Sequence, residues 1–308
     1  MCRVVTLVFC FVFGQNIFAK ETKSSEEREL VWLLVDKEKL SATLYTLPLF
    51  PKDPVSLQTF RIAIGKQRGD KNKRGDNKTP EGIYFTQHYR QNLYVKKYGN
   101  LAIPLDFPNV MDVMDNKTGY GIWLHGEGEE NRVEAANVTQ GCVAFYNNDI
   151  LKLKSWLVPK QGMVLIAPDS KDVNLHEDRK QVHELTEQWI DSWSKRDLDR
   201  YMSFYSDKFS SERKNKAQYE KYKSRVFKSY KDMKVSMRTL RVLTHPKYAI
   251  AVMNQNFNGD NHYVSNGRKV LYWQKEAGSW KIVRETFADV SLSKLELTEA
   301  NLNNLKAQ

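Results

Sequence analysis

Cysteine is nearly absent from this chain. Its 308 residues contain three, and Cys2 and Cys10 fall within the first nineteen positions, which leaves Cys142 alone in the remainder. A lone thiol cannot staple its own chain, so a disulfide framework is excluded, and outside the cytoplasm it risks oxidation unless chemistry requires it. Metal-ligand spacing is missing as well, because the six histidines are scattered and no Cys/His cluster occurs. No glycine-rich phosphate loop is present, so neither cofactor nor metal is expected. Long apolar runs are limited to Val4–Phe13, preceded by the single charge of Arg3 and followed by a short polar turn to Ala19. That run is short for a membrane span and reads as a secretory signal peptide, residues 1–19, with an uncleaved anchor as the alternative. Phe9 before Cys10 is too large for a lipoprotein signal. The expected location is the periplasm.

Charge, by contrast, is plentiful and unbalanced. Lys and Arg number 48 against 37 Asp and Glu, a formal net charge of +11. The excess favours an anionic wall polymer or lipid surface. It would also suit nucleic acid, which an exported protein does not meet.

The length suits two cores, and the periodicity changes near Pro168–Asn174. Before that seam the sequence is rich in strands: Val31–Val35, Leu40–Tyr45, Phe60–Gly65 and finally Gly162–Ile166. Lys66–Lys78, with six basic and two acidic residues, reads as a solvated loop, with a substrate-gripping flap as the alternative. After the seam, Val182, Leu185, Trp189, Ile190 and Trp193 recur at helical spacing, and Leu198, Tyr201, Met202 and Tyr205 continue in a second helix. Lys208–Arg241 carries twelve basic and three acidic residues. Strands are expected at Val235–Leu243, Tyr248–Phe257, His262–Lys275 and Trp280–Phe287. Asp191, Asp197 and Asp199 read as helix surface and caps. The aromatics Trp189, Trp193, Tyr201, Tyr272 and Trp273 read as core.

Cys142 closes the run Thr139-Gln140-Gly141-Cys142, seventeen residues after His125-Gly126. A thiolate beside an imidazole is a nucleophile for carbonyl carbon, since the base lowers the thiol pKa and later returns the proton to the leaving group. Gly121-Ile122-Trp123-Leu124-His125-Gly126 and Gly141-Cys142-Val143, with Arg61–Gly65 and Thr79-Pro80-Glu81-Gly82 upstream, match the signature segments of the L,D-transpeptidase (YkuD-like) catalytic domain. The chain resembles that family over about residues 30 to 168. Two positions depart from the pattern: Thr139 replaces a serine, and Ala144 stands where an arginine that helps hold substrate is common. Helices followed by a meander ending in Gly278-Ser279-Trp280-Lys281-Ile282 resemble an NTF2-like domain, a curved sheet wrapped by helices.

The resemblances imply an α+β chain: residues 20–170 catalytic, 175–290 an NTF2-like cone, 291–308 a C-terminal tail. They imply that Cys142 attacks a stem-peptide amide of peptidoglycan ahead of a terminal D-amino acid, with His125 as base and the Gly126 carbonyl orienting its ring. The N–H groups of Gly141 and Cys142 are expected at the oxyanion, and Thr139 and Trp123 are grouped with them as substrate contacts. Water as the second nucleophile gives a carboxypeptidase, and a neighbouring stem amine gives a crosslinking transpeptidase. The arrangement resembles cell-shape-determining L,D-carboxypeptidases of helical and curved Gram-negative bacteria. A decayed enzyme that only binds the wall is the rival reading.

Overall fold

The structure, a computed structural model, describes residues 30–289 except 92, 93, 130 and 212. The expected signal peptide and C-terminal tail lie outside the described residues. No helix among the described residues is long and apolar enough to cross a membrane.

The first strand, β1 (Leu30–Asp36), is apolar at every position but its last. Strand geometry sends alternate side chains to opposite faces, so Val31, Leu33 and Val35 enter one core while Trp32 and Leu34 enter another. β2 (Ser41–Leu47) and β3 (Ser56–Gly65) continue antiparallel, and β4 (Gly82–Phe85) lies at the far edge. Helix α1 (Val95–Tyr98), β5 (Ala102–Pro104) and α2 (Val110–Met114) lead to β6 (Trp123–Gly126). Helix α3 (Asn131–Glu134), β7 (Asn137–Thr139), β8 (Val143–Phe145), α4 (Asn147–Lys154) and β9 (Met163–Ala167) complete the domain. The strands form one nine-stranded sheet in the order β4-β9-β1-β2-β3-β8-β6-β5, with β7 attached to β3.

The second domain opens with α5 (Glu177–Ser194), which buries Val182, Trp189 and Trp193 along one stripe. Asp197 caps α6 (Leu198–Ser203), accepting the N–H of Arg200 at 3.0 Å, and Asp191 pairs with Lys195. The short strands β10 (Ser210–Ser211) and β11 (Lys214–Asn215) precede α7 (Lys216–Ser229), whose start is fixed by a reciprocal Asn215/Gln218 capping box. Then β12 (Met233–His245), β13 (Tyr248–Gly259), β14 (Tyr263–Glu276) and β15 (Ser279–Asp289) form an antiparallel meander.

Two features differ from the sequence reading. Within the basic stretch 208–241, Lys223 is buried with its ammonium 4.0 Å from the Trp193 ring centroid, and Arg241 is buried with its Nε–H donated to Leu47 O at 2.8 Å. The stretch therefore presents less charge to solvent than its composition suggests. The 66–78 segment is also more than a solvated loop. Asp76 accepts the Lys71 ammonium at 2.6 Å and the N–H groups of Asn72 and Lys73 at 2.9 and 3.0 Å. Although burial opposes it, these bonds and one from the Lys78 N–H hold the Asp76 carboxyl down to about 2. Lys71 is only 3% exposed, so the charges fold the segment onto itself.

The domains share a core. Trp32, Leu34, Ile83, Met163 and Leu165 of the first sheet pack against Leu243, Tyr248, Ile250, Val270 and Tyr272 of the second. The Tyr248 hydroxyl takes the Ile83 N–H at 2.6 Å, and Arg179 donates to Pro48 O and Lys52 O at 2.9 and 2.8 Å. The seam is sheet packed on sheet, with the connecting chain held down where Ser170 N–H meets Asp36 at 3.0 Å.

Candidate active site

Parallel pairing of β6 with β8 sets Leu124 opposite Val143 and His125 opposite Ala144. Extending that register by one residue puts Cys142 beside Trp123, two positions before His125 and on the same face of the pleat. Both Cys142 and His125 line one cleft of about 610 Å³, a size that suits a short peptide.

His125 is 3% exposed, and its Nδ1 lies 2.5 Å from Gly126 O. A carbonyl only accepts, so Nδ1 carries the proton and Nε2 keeps its lone pair. Tyr98 stands edge-on to the imidazole with centroids 5.3 Å apart. Burial, reinforced by Arg132 and Lys97 nearby, lowers the His125 pKa to about 4, against the pull of the Gly126 carbonyl. The Cys142 thiol donates to Gly121 O at 3.5 Å. Burial pushes that thiol up to about 11, although the Trp123 N–H favours the thiolate. The expected lowering of the thiol pKa by its base is therefore absent at rest: the pair is neutral thiol and neutral imidazole. An attack by this sulfur would require loss of that proton.

The turn that presents Cys142 is locked by Thr139. Its hydroxyl donates to Cys142 O at 2.7 Å and accepts the Gly141 N–H at 3.1 Å. Gly141 N–H, expected at the oxyanion, is thus engaged within the turn, and Thr139 acts on the backbone of Cys142 while its side of the turn lines the cleft. Gly141 has φ +122°, and a Cβ there would stand 2.7 Å from Lys78 O. Only glycine allows the 66–78 segment to close against the turn that carries Cys142. Trp123, expected as a substrate contact, turns its ring to Tyr98 and Arg90, at 5.0 and 5.1 Å. Its contribution to the site is its backbone N–H.

Several lining residues were not singled out from sequence. Lys66, Lys71 and Arg74 come from the 66–78 segment, Lys97 from α1, and Arg132 from α3. Glu127 is 2% exposed with Arg132 Nε 3.0 Å away, and burial raises its pKa, partly countered by that arginine. Arg132 and Lys71 thus have carboxylate partners. Lys66, Arg74 and Lys97 have none among the described residues, so the cleft is electropositive. The density of Lys and Arg in 66–78 was visible in the sequence, and its place on the cleft beside the thiol agrees with the flap given there as the alternative to a solvated loop. Ala144 is fully buried in β8, inside the sheet beside the cleft.

Residues 31–166 match the L,D-transpeptidase catalytic domain (YkuD), and residues 181–286 match the Cds6 C-terminal NTF2-like domain. Among solved structures, Bd1075 of Bdellovibrio bacteriovorus is 27% identical, with 87% of this chain and 96% of that chain covered at a TM-score of 0.74. The helical cell shape determining protein Pgp2 of Campylobacter jejuni is 22% identical, with 84% of this chain and 92% of that one covered at a TM-score of 0.68. No curated protein matches the chain. The protein joins an L,D-transpeptidase catalytic domain of the YkuD family to a C-terminal NTF2-like domain in one α+β chain.

Proposed function

We propose that the protein is a periplasmic peptidoglycan L,D-carboxypeptidase that trims stem tetrapeptides to tripeptides. Cys142 is its nucleophile and His125 its general base. The observation that carries this reading is the meeting of one thiol and one oriented imidazole in a cleft with unpaired cations. A stem peptide ending in a free D-residue brings a carboxylate at the leaving group, which suits Lys66, Arg74 and Lys97.

In the first half, Nε2 of His125 takes the thiol proton as sulfur bonds to the carbonyl carbon, and the Cys142 N–H faces the developing oxyanion. Collapse breaks the C–N bond, the imidazolium gives its proton to the amine, and D-alanine leaves. Water then attacks the thioester with His125 again as base, which restores the thiol and frees the tripeptide. The buried Ala144 adds no cation for a second stem, which favours water over an acceptor amine.

Incubating the purified protein with disaccharide tetrapeptide and weighing the products tests the reading. Tripeptide and D-alanine are expected, and crosslinked dimers would make the enzyme a transpeptidase. Cys142→Ala should keep the melting temperature and lose turnover by at least about a hundredfold. Turnover above that level removes the covalent route, and no product from either substrate half would leave a wall-binding protein. The two-domain likeness to a helical cell shape determining protein extends the proposal to wall remodelling that sets cell shape.

A further inference from the structure

A side chain of the second domain reaches the segment that lines the catalytic cleft. Lys247 lies in the turn between β12 and β13, with its ammonium 2.6 Å from Asp70 and 3.3 Å from Glu81. Asp70 belongs to the 66–78 segment that lines the cleft, and Glu81 follows it in the Thr-Pro-Glu-Gly turn.

These contacts belong to a larger network. Lys117 bonds Asp70 at 2.8 Å and Asp112 at 2.9 Å, while Lys37 bonds Glu81 at 2.9 Å. Lys37 also donates to Gly69 O and Thr79 O at 2.7 and 2.9 Å, and Asp70 accepts the Glu81 N–H at 2.8 Å. Three carboxylates, Asp70, Glu81 and Asp112, thus meet three lysines, Lys37, Lys117 and Lys247. The first domain supplies all three carboxylates and only two of the cations.

The carboxylates are poorly hydrated, with side chains 15%, 8% and 4% exposed for Asp70, Glu81 and Asp112. An exposed ion pair adds little, but withdrawing one member of a partly buried set leaves a charge that must find water. Lys37 directly follows β1, and Asp112 sits in α2. Asp70 sits in a segment without helix or strand of its own, so side-chain contacts such as these fix its place. Arg74 rides on that segment, its guanidinium 5.0 Å from the ring of Tyr120, which also lines the cleft.

We propose that Lys247 is a positioning residue of the catalytic cleft: from the NTF2-like domain it clamps the 66–78 segment through Asp70, so that Lys66 and Arg74 face the substrate. The domain thereby sets substrate affinity without touching substrate. This rests on the hydrolase reading for its kinetic part only.

Lys247→Met, Lys247→Arg and the double variant Lys247→Met with Glu81→Gln, all in the full-length protein, provide the test. In Lys247→Met, KM for disaccharide tetrapeptide should rise about three- to thirtyfold with a smaller change in kcat, the scale of a modest misplacement of binding groups. Amide exchange should quicken in residues 66–78 and stay unchanged in α5 and β13. Lys247→Arg should return KM close to wild type. The double variant, again balanced in charge, should regain the melting temperature but neither KM nor loop protection, and it carries the test should Lys247→Met alone fail to fold. Wild-type KM and loop exchange in Lys247→Met overturn the proposal, as does a double variant that regains both. Were the wild type to release no D-alanine, the hydrolase reading would fall separately. Loop exchange and the alkylation rate of Cys142 in Lys247→Met would then decide the clamp.

Discussion

At the scale of single residues, the proposed chemistry turns on a buried imidazole and a half-buried thiol whose pKa values move apart. The Cys142 thiol is pushed up to about 11 and the His125 imidazole down to about 4, both chiefly by burial. Ion-pair formation before substrate binding is therefore disfavoured at neutral pH. Iodoacetamide should alkylate Cys142 slowly at pH 7 to 8, with the rate climbing toward pH 11, and kcat/KM should keep its acid limb near pH 4. His125→Ala should reduce acylation by ~10² to 10⁴. An alkylation profile with a midpoint below about pH 7 would refute the neutral pair. Stability follows the same groups. A histidine whose folded pKa is lowered binds its proton more readily when unfolded, so its contribution is complete above the unfolded value of 6.5 and is lost as pH falls through the folded one. With His125 at about 4 and His245 at about 3, melting temperature should decline from about pH 6.5 downward and keep declining to about pH 3.

At the scale of elements, the strands around the site were legible because apolar and β-branched runs announce them. Val31–Val35, Phe60–Gly65 and Gly162–Ile166 each lie within or against a strand of the sheet. The order of the 66–78 segment was not legible, since partners that hold it are remote in sequence: Lys117 is 47 positions from Asp70 and Lys247 is 177. Composition reports charge and is silent about which charges pair. Helix α7 hid for a different reason. Tyr219, Lys223 and Phe227 repeat every four residues, yet a lysine in the apolar stripe breaks the binary pattern, and only the Trp193 face beneath its ammonium explains the burial. Gly141-Cys142 was readable as a family motif, whereas the engagement of its amide by Thr139 needed coordinates. A test at this scale is Gly141→Ala. The added Cβ meets the Lys78 carbonyl at 2.7 Å with φ at +122°, so a loss of about 1 to 3 kcal/mol in denaturant unfolding is expected, with slower acylation. Unchanged stability would mean that the 66–78 segment yields easily, and would weaken the picture of an ordered cleft wall.

At the scale of the whole molecule, the two domains divide the electrostatic work. The first gathers cations around the thiol, and the second presents a basic helix on the side of its sheet away from the first domain's core. The net charge of +11 was legible at once; its distribution was not, because Lys223 and Arg241 prove to be interior. Of the residues on α7, Lys221, Arg225 and Lys228 are exposed and recur at spacings of four and three, which sets them on one stripe opposite Tyr219 and Phe227. Such a stripe attracts an anionic polymer over about 10 Å at 0.1 M salt. Replacing these three by Glu leaves the packed face untouched, so folding should persist. Sedimentation with purified sacculi should weaken, and its dependence on salt should become shallower because fewer ion contacts remain to be screened. Turnover of a small soluble muropeptide should stay near wild type, since neither the cleft nor the Lys247 clamp is altered. Sacculus binding unchanged in the charge-reversed protein would eliminate α7 as the contact and shift wall recognition to another face of the second domain.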